Sequence, residues 1–577
     1  MILAHGSGDA SLESWTPVFV LLGGYALVVV LLTIFGRSNH PHSLAAFVLR
    51  APDAIERLTK IPGWAGAAVG TALFGLLTAG YGFYSDVAWH IALGRDEELF
   101  TAPHTAIVVG LAVIFGGAVL GTLYATLQRV DTGFRVGPVR VPWSMLALGA
   151  FGGAALSGFP LDELWHRRYG IDVTMWSPTH MLMILGAALS PIASWLALAE
   201  AKVSPRDGRW ARGVHVVAAW LVLQGLAAPL GEFVFGVPQF QQLFHPLVIS
   251  IGAGFALVAM RIVHGPWWTI GIAASGFLLE IGELGGRDAG GLSLRPGALF
   301  VGSALAVEVV AWLLGTEPRR RFAIASGVAV GTVGLATEWA WNTSAHQPWT
   351  SALLPDTVIL SVIGASAAAL CGAALGAAAL RRRAGVGAAV LVLAGLVVVG
   401  TLAWPMPRRA GDVTADLSLQ RLGGGEVLVT VTLDPPYAAD GARWFQTMSW
   451  QGGDLHIAGM HETSRGVYVA DGPMQVIGNA KTLVRLHRGA ETMAVPVYMP
   501  ADTEIDAPEV PAVDRTVAFQ SEQRFLLREA IEGPKTFAYL IYALGALAVI
   551  GWAFAVWMAA ARVSRPEPAR VPAAVGS

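Results

Sequence analysis

The sequence predicts an all-α polytopic membrane protein of about 13 transmembrane helices, with an extracytoplasmic β-sandwich placed before the last helix. Three observations carry this expectation. Apolar residues make up 54% of the 577 residues and charged residues only 14%, with a mean hydropathy of +0.56, a balance foreign to a water-soluble chain of this length. Apolar stretches of about 20 residues, the length needed to span a hydrocarbon core, recur along most of the chain. One region, about 405–535, breaks that texture with short β-branched runs.

In order, the candidate spans are 16–35, 63–85, 104–127, 142–163, 178–201, 210–235, 244–263, 266–284, 296–315, 322–341, 355–380, 385–404 and 538–561. No Lys or Arg precedes the first and no small-residue cleavage signal is evident, so 16–35 reads as a retained helix. Leu44 to Ile61 reads as an amphipathic interfacial helix. The runs EVLVTVTL, GVYVA, KTLVRLH and MAVPVYM, separated by Gly, Pro and Asp turns, give 405–535 the spacing of a small antiparallel sandwich, immunoglobulin-like or cupredoxin-like, over about Asp412 to Pro508. A Pro- and acid-rich connector follows. The chain thus divides into a membrane domain of about 12 helices (1–404), the extracytoplasmic sandwich and connector (405–535), and a final helix with a cytoplasmic tail (536–577).

Loop charge sets the expected orientation in the cell membrane. Alternate loops hold Arg37, Arg50, Arg57 and Lys60; Arg129, Arg135 and Arg140; Lys202, Arg206, Arg209 and Arg212; Arg261; Arg319 to Arg321; Arg381 to Arg383; and Arg562, Arg565 and Arg570. The opposite short loops hold only Arg95, Arg167, Arg168, Arg287 and Arg295. The positive-inside rule then puts the N-terminus outside and the C-terminus in the cytoplasm, with 405–535 outside. The net charge of -2 gives no basis for a nucleic-acid partner, and the single Cys371 lies within a span, which excludes intrachain disulfides and a multi-Cys zinc site.

Two stretches repeat one arrangement of ligand-type side chains, Asp-x3-His-x13-His. They are Asp86, His90 and His104 in SDVAWHIALGRDEELFTAPH, and Asp162, His166 and His180 in LDELWHRRYGIDVTMWSPTH. The copies also share Trp89/Trp165, Gly94/Gly170, Asp96/Asp172 and a Pro just before the last His. Asp and His four residues apart lie on one helix face, one turn apart, and can converge on one ion. Pro103 or Pro178 is suited to open the next helix, leaving His104 or His180 in its first turn. Ionisable groups within membrane segments are costly and mark function. A lone His at a helix end reads as an interfacial side chain; two identical sets at equal spacing read as metal ligands. Two imidazoles and one carboxylate suit copper, zinc or non-haem iron.

At these residues the first motif (Asp86, Trp89, His90, Arg95, Asp96, Phe100, Thr101, Pro103, His104) resembles the copper-binding signature in the C subunit of particulate methane and ammonia monooxygenases. The resemblance implies that an Asp and two His hold one copper, with a related hairpin supplying Asn and two His to a neighbouring copper. The second motif matches that hairpin in spacing but carries Asp162 in place of Asn. The first has one extra residue before its closing His, and Pro103 touches that His. The likeness covers about 20 residues of each motif closely and extends over Gly63 to Ala201. The outer sandwich followed by one span is similar to the family's B subunit, although it carries no strong B-subunit copper motif.

The remaining polar residues have plainer readings. PLGEFVFGVPQFQQLFHPL resembles the second motif, with Glu232 matching Glu163, Phe235 replacing the first His and His245 near the second; it reads as scaffold from the same duplication, with weaker echoes at Glu283 to Pro296 and Glu338 to Pro355. His456, Met460 and His461 read as exposed loop residues, with a copper relay as the sharper alternative. Glu280, Glu308 and Glu338 serve either proton transfer or structural hydrogen bonds. His215 reads as structural, and His40 and His42 lie far from the motifs.

The expected function is therefore that of a copper membrane monooxygenase, in which O2-dependent hydroxylation of a small apolar substrate from the lipid draws electrons from a quinol or redox protein. The alternative is a non-enzymatic copper transporter or assembly factor. The substrate, the reductant and the oligomeric state, a homo-oligomer included, are left open by the sequence.

Overall fold

The computed structural model describes residues 15–37, 44–94, 100–170, 174–288, 297–343, 348–404 and 410–565, with backbone alone over 279–288. His40, His42, Arg95, Asp96, Asp172, Arg295, Pro296 and Arg570, and the side chains of Glu280, Glu283 and Arg287, lie outside the described residues.

The membrane part is a sequence of apolar helices: α1 (Thr16–Arg37), α2 (Gly63–Leu93), α3 (Ala102–Leu127), α4 (Trp143–Tyr169), α5 (Pro178–Glu200), α6 (Arg209–Val234) and α7 (Phe244–His264). Then come α8 (Trp268–Asp288), α9 (Val301–Leu314), α10 (Arg319–Asn342), α11 (Ser351–Ala379), α12 (Ala388–Ala403) and α13 (Lys535–Val563). Among the described residues, 10 of these are long and apolar enough to cross a membrane; α9, α12 and the apolar part of α8 are shorter. The amphipathic segment after α1 forms two short helices, Leu44–Val48 and Arg50–Thr59.

Close helix approach is built on small residues, which in a bilayer replace the hydrophobic driving force with tight van der Waals packing. A Cβ on Gly75 of α2 would sit 2.7 Å from Ile114 N of α3, and one on Gly110 of α3 would sit 2.4 Å from Ala79 N. Gly186 of α5 meets Phe151 O of α4 in the same way, at 2.8 Å. The outer helices keep wide apolar faces uncovered, as with Val392, Leu396 and Val399 of α12 and Leu547 and Ile550 of α13. These are the faces a bilayer would cover.

Some of the basic segments meet in pairs. Arg562 lies over the Trp143 ring at 4.5 Å, and Arg319 Nη1 donates to Arg383 O at 3.1 Å. Glu200 accepts from the N–H groups of Trp143 and Ser144 at 2.9 and 2.8 Å, capping the start of α4. Glu308 accepts from Arg261 Nε at 2.7 Å and from the Trp267 N–H at 2.9 Å, while Glu338 accepts from the N–H of Leu299 at 3.0 Å. Both acids therefore hold helix ends in place. His215 is likewise structural, accepting at Nδ1 from Trp195 Nε1 at 3.0 Å.

The polar region folds as one antiparallel sheet. After a small hairpin between α3 and α4, β1 (Phe134–Val136) and β2 (Val139–Val141), the strands are β3 (Thr414–Gly423), β4 (Glu426–Asp434), β5 (Trp444–Trp450), β6 (His456–Ser464), β7 (Val467–Ala470), β8 (Met474–Gln475), β9 (Lys481–Arg488), β10 (Glu491–Tyr498), β11 (Arg515–Ala518) and β12 (Gln520–Ser521). Their order is β11-β3-β4-β7-β6-β5-β9-β10-β12, with β8 beside β4. The two edge strands, β11 and β12, are separated in sequence by Phe519 alone, so the sheet curls until its edges meet. The result is barrel-like, with Val429, Val431, Val484, Leu486, Val495 and Phe519 inside. Strand β4 alternates buried and partly exposed residues as a one-faced strand should, whereas β5, β9 and β10 are buried on both faces. Their second face packs on the helical part through Met448, Leu483 and Leu526, against Ile91 of α2 and Val237.

Polar groups complete that contact. Arg443 pairs with Asp356 at 2.9 Å and donates to Gln241. Arg485, fully buried, pairs with Glu522 at 2.8 Å and donates to Pro238 O; His487 meets the same Glu522 at 2.8 Å. The barrel therefore sits on the segment after α6, at the end that carries both Asp-His-His motifs.

Candidate metal centre

The helix carrying the first motif runs to Leu93, eight residues past the apolar stretch that announced it, so Asp86 and His90 are one turn apart on α2. His104 comes from α3. Thr101 is the N-cap of α3 and accepts from the His104 N–H at 3.3 Å, which fixes His104 at the third helical position. In the second copy Ser177 caps α5 and accepts from the His180 N–H at 3.0 Å. The two Pro residues occupy adjacent positions of the first turn, where neither removes a needed donor, so their different offsets from His104 and His180 leave the geometry unchanged.

All six expected residues come together, in two clusters whose ligating atoms lie within 4.8 Å of one another. Asp86 Oδ1 is 3.6 Å from His90 Nε2 and 3.1 Å from His104 Nε2. Asp162 Oδ2 is 3.5 Å from His166 Nε2 and 3.1 Å from His180 Nε2. Donors sharing one ion at bonds of about 2.0–2.2 Å in tetrahedral geometry stand about 3.3 Å apart, so both clusters fit an ion. Asp86 Oδ1 is buried, and its near neighbours are the His90 and His104 imidazoles. An oxygen in that state beside two imidazoles suits a cation.

The imidazoles are oriented from behind. His90 Nδ1 lies 3.0 Å from Gly94 O and His180 Nδ1 lies 2.7 Å from Thr174 O. A carbonyl only accepts, so the proton sits on Nδ1 and the Nε2 lone pair faces the cluster, as a ligating His requires. Gly94 and Gly170, shared by the motifs, are the residues after α2 and α4, at φ of 99° and 83°, where a side chain would be strained.

The clusters are not equivalent. Thr179 Oγ1 donates to Asp162 Oδ1 at 2.6 Å, while Pro103 stands at the matching place in the first copy and offers no hydroxyl. Trp165 packs against Tyr169 with centroids 4.3 Å apart and the rings tilted by 38°, and meets Tyr542 of α13, whereas Trp89 is 47% exposed. Only the former is a packing residue.

The third hairpin is scaffold. Glu232 accepts from Trp176 Nε1 at 2.7 Å, tying down the loop between His166 and His180, and also from the N–H groups of Gln239 and Phe240. His245 stacks on Phe233 and accepts from Trp349 Nε1 at 3.1 Å. On β6, Met460 and His461 are neighbours and so point to opposite faces. Met460 packs on the barrel core and His461 pairs with Asp471 at 2.6 Å on the surface.

Sequence reasoning missed Thr179 and a glycine one turn before each Asp. Gly82 and Gly158 face the next helix, where a Cβ would lie 2.8 Å from Pro103 O and 3.0 Å from Thr179 O. The signal was present in both copies, as Gly-x3-Asp-x3-His. No family model, curated protein or solved structure matches this chain.

Proposed function

We propose that the protein is a copper-dependent membrane oxygenase that hydroxylates a small apolar substrate, with the two clusters on the extracytoplasmic side. The observation that carries the reading is the duplicated convergence of one carboxylate oxygen and two Nε2 atoms at the same end of the helices. Two nitrogens and a hard oxygen suit a metal that changes oxidation state while staying bound, and the resemblance of the first motif to the copper monooxygenases favours copper over zinc or iron. Of the thirteen apolar helices, taken as spans, the positive-inside rule puts this end outside.

Copper, when bound, supplies the redox chemistry with O2. The chain's own residues hold it: His90 and His180 are fixed by Gly94 O and Thr174 O, Asp162 is aimed by Thr179, and helices α2 to α5 set the separation. In the overall reaction one oxygen atom enters a substrate C–H bond and the other leaves as water. Two electrons from a quinol or a redox protein and two protons complete the balance. Trp89, Leu93 and Phe100 are exposed beside the first cluster, an apolar rim suited to a substrate arriving from lipid.

The test is elemental analysis of the purified protein, with His90→Ala and His166→Ala variants, followed by substrate-dependent oxygen uptake with a supplied reductant. The reading expects one to two coppers per chain, each variant losing one cluster's metal, and uptake that needs an apolar substrate. Unchanged copper in both variants removes the metal assignment. Copper lost as expected, but without substrate-dependent uptake, leaves the carrier alternative.

A further inference from the structure

The last carbonyls of a helix have no partner within it, and at α2 and α4 the partners come from the extracytoplasmic domain. In the turn between β5 and β6, the Gln451 N–H donates to Ile91 O at 2.9 Å and the Gly453 N–H to Ala92 O at 3.0 Å. The Gln451 side chain adds a third bond, from Nε2 to His90 O at 3.3 Å. At the end of α4, the Ile531 N–H donates to Tyr169 O at 2.7 Å and Tyr169 Oη donates to Pro534 O at 2.7 Å. The fit there is tight, since a Cβ on Gly170 would lie 2.1 Å from Glu529 O.

These caps hold the turns that carry His90 and His166. From Gln451 the contact passes to His90 O, while Gly94 O, just beyond the capped carbonyls, receives His90 Nδ1. The barrel does not depend on the caps for its seat, because Arg443 and Arg485 anchor it to Asp356, Gln241 and Pro238 on other segments. Gln451 also holds a φ of 63°, a conformation that costs any residue but glycine.

We propose that the extracytoplasmic domain tunes metal binding at both clusters. Gln451 is the positioning residue for Asp86–His90–His104, and the Ile531 N–H plays that part for Asp162–His166–His180. The proposal rests on reading the clusters as metal sites.

The test uses the full-length protein, with copper(II) titrated against a competing chelator and followed by its electron paramagnetic resonance spectrum. Each cluster is observed with the other silenced by His166→Ala or His90→Ala. Gln451→Gly removes the side-chain bond while relaxing the backbone. It is expected to raise the thermal stability of the domain yet weaken copper at the first cluster about two- to tenfold. Gln451→Ala removes the same side-chain bond but keeps the strained backbone, and is expected to weaken copper by the same two- to tenfold without the gain in stability. Both should leave the second cluster unaltered, and Ile531→Pro should give the reverse pattern. Variants that leave both clusters unchanged, or weaken both equally, overturn the positioning role. A wild-type protein that takes up no copper instead overturns the metal reading beneath it.

Discussion

Gly82→Ala tests whether close helix contact sets the first cluster. The added Cβ would lie 2.8 Å from Pro103 O and 2.7 Å from Ile107 N, both backbone atoms that no rotamer change moves. Restoring an ordinary contact of about 3.4 Å demands that α2 and α3 part by about 0.7 Å. Metal sites accept ligand displacements of about 0.2 Å, and His104 rides on the helix that must move. Overpacking of this kind costs about 1–3 kcal/mol, and spoiled ligand orientation typically costs about 10–100-fold in affinity. Chelator competition should therefore show the first cluster weakened by roughly 10–100-fold and the second unchanged. Gly158→Ala should do less to the second cluster, because its nearest neighbour, Met183 Cγ at 2.5 Å, belongs to a flexible side chain and the backbone contact is longer. Gly80→Ala, with nothing within 4 Å, is the control. Wild-type copper affinity at both clusters in Gly82→Ala would refute the reasoning.

Thr179→Val should cost the second cluster about tenfold in copper affinity and spare the first, read by the same titration; equal losses at both would deny Thr179 its aiming role. Asp86→Asn and Asp162→Asn should keep part of the metal while slowing substrate-dependent oxygen uptake, and full activity in both would remove the carboxylates from the chemistry. The barrel contact should weaken in acid. Burial, with Arg485 and Arg443 beside it, holds His487 below its ordinary 6.5 against the pull of Glu522. Burial alone would raise Glu522, but Arg485 and His487 hold it below its ordinary 4.5. In both cases the unfolded chain binds more protons, so stability is complete above pH 6.5 and falls first through His487, then below pH 4.5 through Glu522. Thermal unfolding from pH 8 to pH 4 should show this, and His487→Gln should flatten the upper part; a barrel that grows more stable in acid would contradict it. A cysteine at Ser418 should react with a membrane-impermeant thiol reagent in intact cells and one at Asp207 only after lysis, the opposite pattern reversing the orientation.

The helices were legible because apolar runs of bilayer length are a long, redundant signal, and α1, α5 and α7 begin and end within about two residues of it. The triads were legible because periodicity puts Asp86 and His90 on one face whatever surrounds them. The barrel was legible only as strands. Its closure depends on β11 meeting β3 while β12 meets β10, a pairing across about 100 residues that leaves no local mark. Arg485 and His487 in KTLVRLHR argue for an exposed face, yet that face is buried, because Glu522, Pro238 and Trp444 supply partners from distant parts of the chain. The caps on α2 and α4 were invisible for the same reason.

The caps also have a consequence in time. All six cluster residues leave the ribosome by position 180, but the groups that finish α2 and α4, on Gln451, Gly453 and Ile531, arrive roughly 270 to 350 residues later, on the order of tens of seconds at ordinary rates of synthesis. Until then the two helices end in open carbonyls and the clusters lack their final shape. The growing chain thus holds its metal ligands in an unfinished state until the barrel has folded, so a nascent chain truncated before Gln451 is the form least able to retain an ion picked up prematurely.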